Sequence, residues 1–124
     1  MSITRFHKEV GFEPGAIKEI FNILWSLSSL RYTQHAKMET IKDRYAIIPV
    51  IKLSDIKPED IFEYTKDDGE LEQFMVRINP PTGAFSYCYS ISVRPETKGN
   101  IVTVWANTKY DSHRTLNTRI YERV

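Results

Sequence analysis

Two hydrophobic periods divide the chain. Up to about residue 44 the apolar positions recur at three- and four-residue steps, and beyond residue 61 they alternate. Ile17, Ile20, Phe21, Leu24 and Leu27 make a stripe that predicts an amphipathic helix over residues 16–29. Ile23, Trp25 and Leu30 widen its apolar face, as suits a helix that covers a sheet or meets a partner. Pro14 offers a good first helical position, because its missing N–H would be unpaired there anyway. Residues 31–44 are more polar and read as a second helix, or a strand-like entry into one. Ala36, Met38 and Ile41 turn inward, and Thr33 is a candidate cap. Residues 1–13 are mixed, and read as extended or loosely docked. Residues 45–53 are apolar and broken by Pro49, and 54–60 carry turn chemistry.

The second half reads as strands. Residues 61–66 and 71–78 flank Asp67-Asp68-Gly69-Glu70, whose Asp-Gly step is a hairpin signal. Residues 61–66 can alternatively finish a helix opened by Pro58. Phe74, Val76 and Ile78 share one side of the next strand, and Gln73, Met75 and Arg77 the other. After the Asn79–Gly83 turn, Phe85, Tyr87, Tyr89, Ile91 and Val93 alternate with Ser86, Cys88, Ser90 and Ser92. A fourth strand is expected over 101–106, with Val102, Val104 and Ala106 on one face and Ile101, Thr103 and Trp105 on the other. The resulting expectation is one domain over 1–124 of α+β class. N-terminal helices pack on a four-stranded antiparallel β-meander, followed by a short polar C-terminal tail. Ser86, Ser90, Ser92, Gln73 and Arg77 then line the uncovered sheet face.

Composition narrows the function classes. The hydrophobic fraction is 41%, enough for a folded core, and the net charge of +1 favours no class of partner by itself. The single Cys88 rules out a disulfide framework within the chain and reads as a buried core thiol in a reducing, cytoplasmic setting. No stretch approaches ~18 uninterrupted apolar residues, so no membrane span is expected, and the first residues lack the apolar core of a signal peptide. Three scattered histidines lack metal-ligand spacing, and five glycines form no phosphate loop. Neither a metal nor a cofactor is expected.

Tyr32-Thr33-Gln34-His35-Ala36-Lys37, leading into a basic helix that ends near Arg44, resembles the Tyr-Ser-Gln-His entry of the RelE/RegB-like endoribonucleases. The order of elements over residues 31–121 resembles the wider barnase–EndoU–colicin–RelE superfamily. Within the motif only His35 carries over. The next histidine is His113, in the polar segment that also holds Asp111, Arg114, Thr115, Arg119 and Tyr121. The resemblance implies metal-independent cleavage of single-stranded RNA in a toxin-like or phage-encoded protein. It also implies RNA, and a protein partner or antitoxin, as binding partners. The wide apolar face of the first helix allows a homodimer.

Cleavage of this kind needs a base for the 2′-hydroxyl, an acid for the leaving 5′-oxygen, and cations near the phosphate. His35 and His113 are the natural acid–base pair, with Thr115 and Tyr121 as further catalytic candidates. Lys37, Arg44, Arg77 and Arg119 are phosphate candidates; Tyr32, Tyr121 and Trp105 can stack on bases. Plain structural readings stand beside these. Lys37, Lys42 and Arg44 suit the wetted face of a helix, Thr115 a cap, Tyr121 tail packing and His7 the surface. A non-enzymatic phage or mobile-element protein of the same fold, binding RNA or a host protein, is the alternative function.

Overall fold

The computed structural model describes residues 2–43, 45–109 and 118–123. In chain order these form β1 (Ile3–His7), α1 (Ala16–Trp25), β2 (Arg31–Tyr32), α2 (Gln34–Lys42), β3 (Ile61–Asp67), β4 (Glu70–Ile78), β5 (Phe85–Ser92) and β6 (Asn100–Thr108), joined by short turns. The class is α+β, as the two periods predict. The sheet has six strands in the order β1-β3-β4-β5-β6-β2. Its centre, β3 to β6, is a run of antiparallel neighbours in chain order. The expected four-stranded meander is therefore extended and made mixed. β1 joins β3 antiparallel, and β2 joins β6 in parallel. Both added strands lie at sheet edges, and β2 is two residues long, too short to show a period.

Local chemistry accounts for the boundaries. α1 begins after Gly15, whose φ of 80° lies in the left-handed region. It stops at Trp25 rather than near Ser29, because the Ser26 hydroxyl and amide both turn back on the Ile23 carbonyl. Thr33 caps α2 as expected, its Oγ1 accepting from the Ala36 amide at 3.1 Å. The β3–β4 hairpin turns on Asp68 and Gly69, both at positive φ.

Register places Tyr64, Phe74, Ile91 and Ile101 on one face of the sheet, with Val76, Tyr89 and Val104 beside them. Ala16, Ile20 and Leu24 of α1 cover this face together with Ile48, Ile51 and Ile56. Ile101 was expected opposite Val104. A bulge between Ser90 and Ile91 in the β5–β6 register turns it into the core and leaves Val102 half-buried. Two tyrosine hydroxyls pin the covering segment: Tyr89 donates to the Pro49 carbonyl (2.6 Å) and Tyr32 accepts from the Ile51 amide (3.0 Å).

The opposite face is polar, as the alternation predicts, but its centre is not open. Ser86, Cys88, Ser90 and Ser92 of β5 are all buried, as are Thr65, Glu63 and His7. His7 is thus no surface residue. Its Nδ1 accepts from the Glu9 amide at 3.0 Å, and its ring packs against Phe62 and Tyr121. Among the described residues, no helix is long and apolar enough to cross a membrane.

Candidate functional site

The side chains with most chemical potential meet where α2 runs along the free edge of β6. β2 pairs with β6 only at Asn100 and Ile101. Beyond that point the carboxylates of Glu39 in α2 and of Asp43 at its C-cap take over the strand edge. Glu39 Oε1 accepts from the Val104 amide, and Asp43 Oδ1 from the Ala106 amide, each at 3.2 Å. The fit is geometric. Four residues of helix rise about 6 Å, and two residues of strand advance about 6.7 Å. Carboxylates at i and i+4 therefore match alternate strand amides. This also closes an edge that would otherwise invite another strand.

His35 stands one helical turn before Glu39. Its Nε2 lies 3.3 Å from Glu39 Oε1, and its side chain is 72% exposed. Glu39 thus has two partners: the backbone of β6 fixes the carboxylate, and the carboxylate orients an imidazole open to solvent. Trp105, between the two capped residues, points away from the core. It lines a depression of about 290 Å³ with Glu39, Lys42, Asp43 and Val104. Register sets Trp105 beside Cys88, and Cys88 beside Arg77, in one rank on the polar face.

The predicted residues separate into several places. Lys37 is exposed on α2, but at 100° per residue it lies about 200° round the helix from His35. Lys42, seven residues on, returns to the stripe of His35 and Glu39. Arg77 shares the polar face, yet its guanidinium is a staple: Nε donates to Ser86 Oγ at 2.7 Å and Nη2 to the Thr108 carbonyl at 2.9 Å. Tyr32 lies on the core side, where burial pushes its phenol up and its hydroxyl holds Ile51. Arg44, Asp111, His113, Arg114 and Thr115 lie outside the described residues.

Tyr121 lies with β1 and β3, toward the other edge of the sheet, and Arg119 is exposed in the turn Thr118–Ile120 just before it. The Tyr121 hydroxyl donates to Glu63 Oε1 at 2.5 Å, and its ring centroid is 5.0 Å from that of His7. The Glu122 amide donates to the Arg5 carbonyl at 2.7 Å. Burial, then the Glu63 carboxylate, push the Tyr121 phenol well above its ordinary range. Burial likewise raises Glu63, opposed by the hydrogen bond from Tyr121. Three strand spacings, about 14 Å, separate β3 from β6. Tyr121 and His35 therefore serve different places, and the expected single cleft is not assembled from them.

Glu39 and Lys42 were not singled out as site residues by sequence. The signal was present as His35, Glu39 and Lys42 at helical i, i+4, i+7 spacing, but the same spacing describes any wetted helix face. Among the described residues no group of His, Cys, Asp or Glu is arranged to hold a metal. No protein-family model, curated protein or solved structure matches this chain.

Proposed function

We propose that the protein is an endoribonuclease that binds single-stranded RNA along the border of α2 and β6 and cleaves it by metal-independent acid–base chemistry. The observation that carries this reading is the His35–Glu39 pair, an exposed imidazole held by a carboxylate that is itself fixed to the β6 backbone. His35 takes the 2′-hydroxyl proton, and Glu39 orients the ring and offsets its positive charge. The freed 2′-oxygen attacks phosphorus, forming a 2′,3′-cyclic phosphate, and the departing 5′-oxygen takes a proton from an acid, assigned to His113. Trp105 offers a stacking surface for one base, and Lys42 on the same stripe a positive charge near the phosphate.

The test is cleavage of an end-labelled unstructured RNA in EDTA by wild type, His35→Ala, His113→Ala and Glu39→Gln. Removal of a general base or acid lowers the rate about 10²–10⁴-fold. Glu39→Gln keeps an acceptor for the Val104 amide, so it lowers the rate while the fold persists. Equal cleavage by all four proteins refutes the reading.

A second reading is a non-enzymatic binding protein of this class. The placement of Tyr121 about 14 Å or more from the α2 border favours it, since it leaves fewer candidate groups around His35. The net charge of +1 agrees with it. RNA retention that is lost in Trp105→Ala, with no cleavage by wild type, selects this reading.

A further inference from the structure

Three adjoining depressions curve round the end of α1. One, of about 340 Å³, lies among Phe21, Trp25, Leu27 and Leu53. The next, of about 470 Å³, continues past Leu53 and Ser54 to Tyr32 and Val50. The third, of about 300 Å³, passes Ser28 and Ser29 to Arg31 and Lys98. Shared lining residues join them into one groove. Its walls carry large apolar side chains that folding has left in water. Trp25 is 75% exposed and Val50 71%. Isolated apolar residues on a surface are ordinary, but a run of them along a concavity marks a binding site.

The rim supplies the sign of the occupant. Arg31, Lys52 and Lys98 line the groove and are exposed, and none forms an ion pair among the described residues. Glu96 is the sole carboxylate among the same described lining residues. Three cations against one anion around an apolar floor complement a segment that is apolar on one side and acidic on the other. A two-fold contact between copies would set the cationic rim against itself, and like charges in a dry interface are costly. A bilayer is flat where this surface is concave.

We propose that this groove docks an acidic amphipathic segment of another protein, its apolar side chains against Trp25 and Leu53 and its carboxylates toward Arg31, Lys52 and Lys98. Exposed Trp and Arg side chains are the types that most often anchor such contacts. The mode is that of a short segment laid in a hydrophobic groove with charged flanks. It is independent of the RNA reading, because none of these residues belongs to the His35–Glu39 stripe.

The experiment is selection of a displayed library of random 16-residue peptides on the wild-type protein, followed by titration of synthetic copies of the enriched sequences. The expected peptides carry spaced apolar residues and an excess of Asp and Glu. They bind with a blue shift of Trp25 emission, and they lose at least tenfold in affinity both to Trp25→Asp and to the triple variant Arg31→Glu, Lys52→Glu, Lys98→Glu. Both variants change exposed side chains, and an unchanged urea midpoint checks that they fold. Failure to enrich any peptide, enriched peptides without an acidic excess, or affinity indifferent to charge reversal overturns the proposal. So does a dimer in sedimentation that Trp25→Asp dissociates, or adsorption to phosphatidylglycerol vesicles that the same variant abolishes.

Discussion

Asp43→Ala tests the capping of the β6 edge directly. Asp43 ends α2, and its two oxygens serve three backbone donors. Oδ1 accepts from Ala106 (3.2 Å), and Oδ2 from Tyr45 (3.0 Å) and Ala46 (3.4 Å). The three amides differ in what they lose. Tyr45 is exposed and Ala46 half-buried, so water can replace the carboxylate there at a cost of a few tenths of a kcal/mol. Ala106 is 3% exposed, so its amide is left without a partner, which costs about 1–3 kcal/mol. The sum is roughly 2–3 kcal/mol. With a urea slope of about 1–3 kcal/mol/M, the midpoint falls by about 0.7–3 M. Asp43→Asn keeps one acceptor for Ala106 and turns its amide group toward the wetter side, so it loses only about 1 kcal/mol. Hydrogen exchange supplies the local readout, since the Ala106 amide should lose protection in Asp43→Ala more than in Asp43→Asn. A midpoint for Asp43→Ala within about 0.3 M of wild type refutes the capping argument, as does equal damage by Ala and Asn.

Tyr89→Phe removes the hydroxyl that holds the Pro49 carbonyl at 2.6 Å beneath the sheet. It should lose about 1–2 kcal/mol by urea unfolding, and a neutral result would mean that water already serves that carbonyl. Gly99→Ala meets two obstacles: φ is +85°, and the new Cβ would sit 3.1 Å from Leu27 Cδ1. A loss of about 1–2 kcal/mol is expected, and a stabilised variant would refute the strained geometry. Glu63 gives a pH test. Its folded carboxyl is held above the ordinary value of 4.5, chiefly by burial, so the folded state binds that proton more tightly than the unfolded chain. Its stabilising contribution is therefore complete below about 4.5 and is lost as pH rises through the folded value. Glu63→Gln cannot ionise, so its stability relative to wild type should improve between pH 4 and pH 7.5. A pH-independent difference in paired urea titrations refutes the assignment.

Much of the architecture follows from local pattern. The stripe of Ile20 and Leu24, the alternation of Tyr89 and Ile91 with the serines, the Asp68-Gly69 turn and the Thr33 cap each depend on residues a few positions apart. The structure keeps all of them. What pattern could not supply was pairing between distant segments. β1 is a strand because β3 offers it an edge, and Ile101 faces the core because a bulge shifts the register. His7 is buried because its polar face is covered where Tyr121 packs.

The candidate site divides in the same way. His35 was singled out as a candidate from sequence, since a short motif is local. The turn of α2 sets Lys37 away from the His35 stripe and Lys42 on it, a placement that helical spacing contains once the helix is formed. The role of Glu39 required a partner 65 positions away, the Val104 amide. Arg77 is a phosphate candidate by residue type, and only the tertiary structure shows its guanidinium engaged with Ser86 and Thr108. Tyr121 looked like a neighbour of His35 until the sheet order set them toward opposite edges. Sequence alone determined the α+β class, the two principal elements of the core and the position of one histidine, because these follow from periodicity and near-neighbour hydrogen bonding. Tertiary structure decided which carboxylate orients that histidine and which cations share its stripe. It also decided which apolar side chains remain in water around Trp25. Those outcomes depend on strand order and register, and they arise only when segments far apart in the chain compete for the same backbone edges.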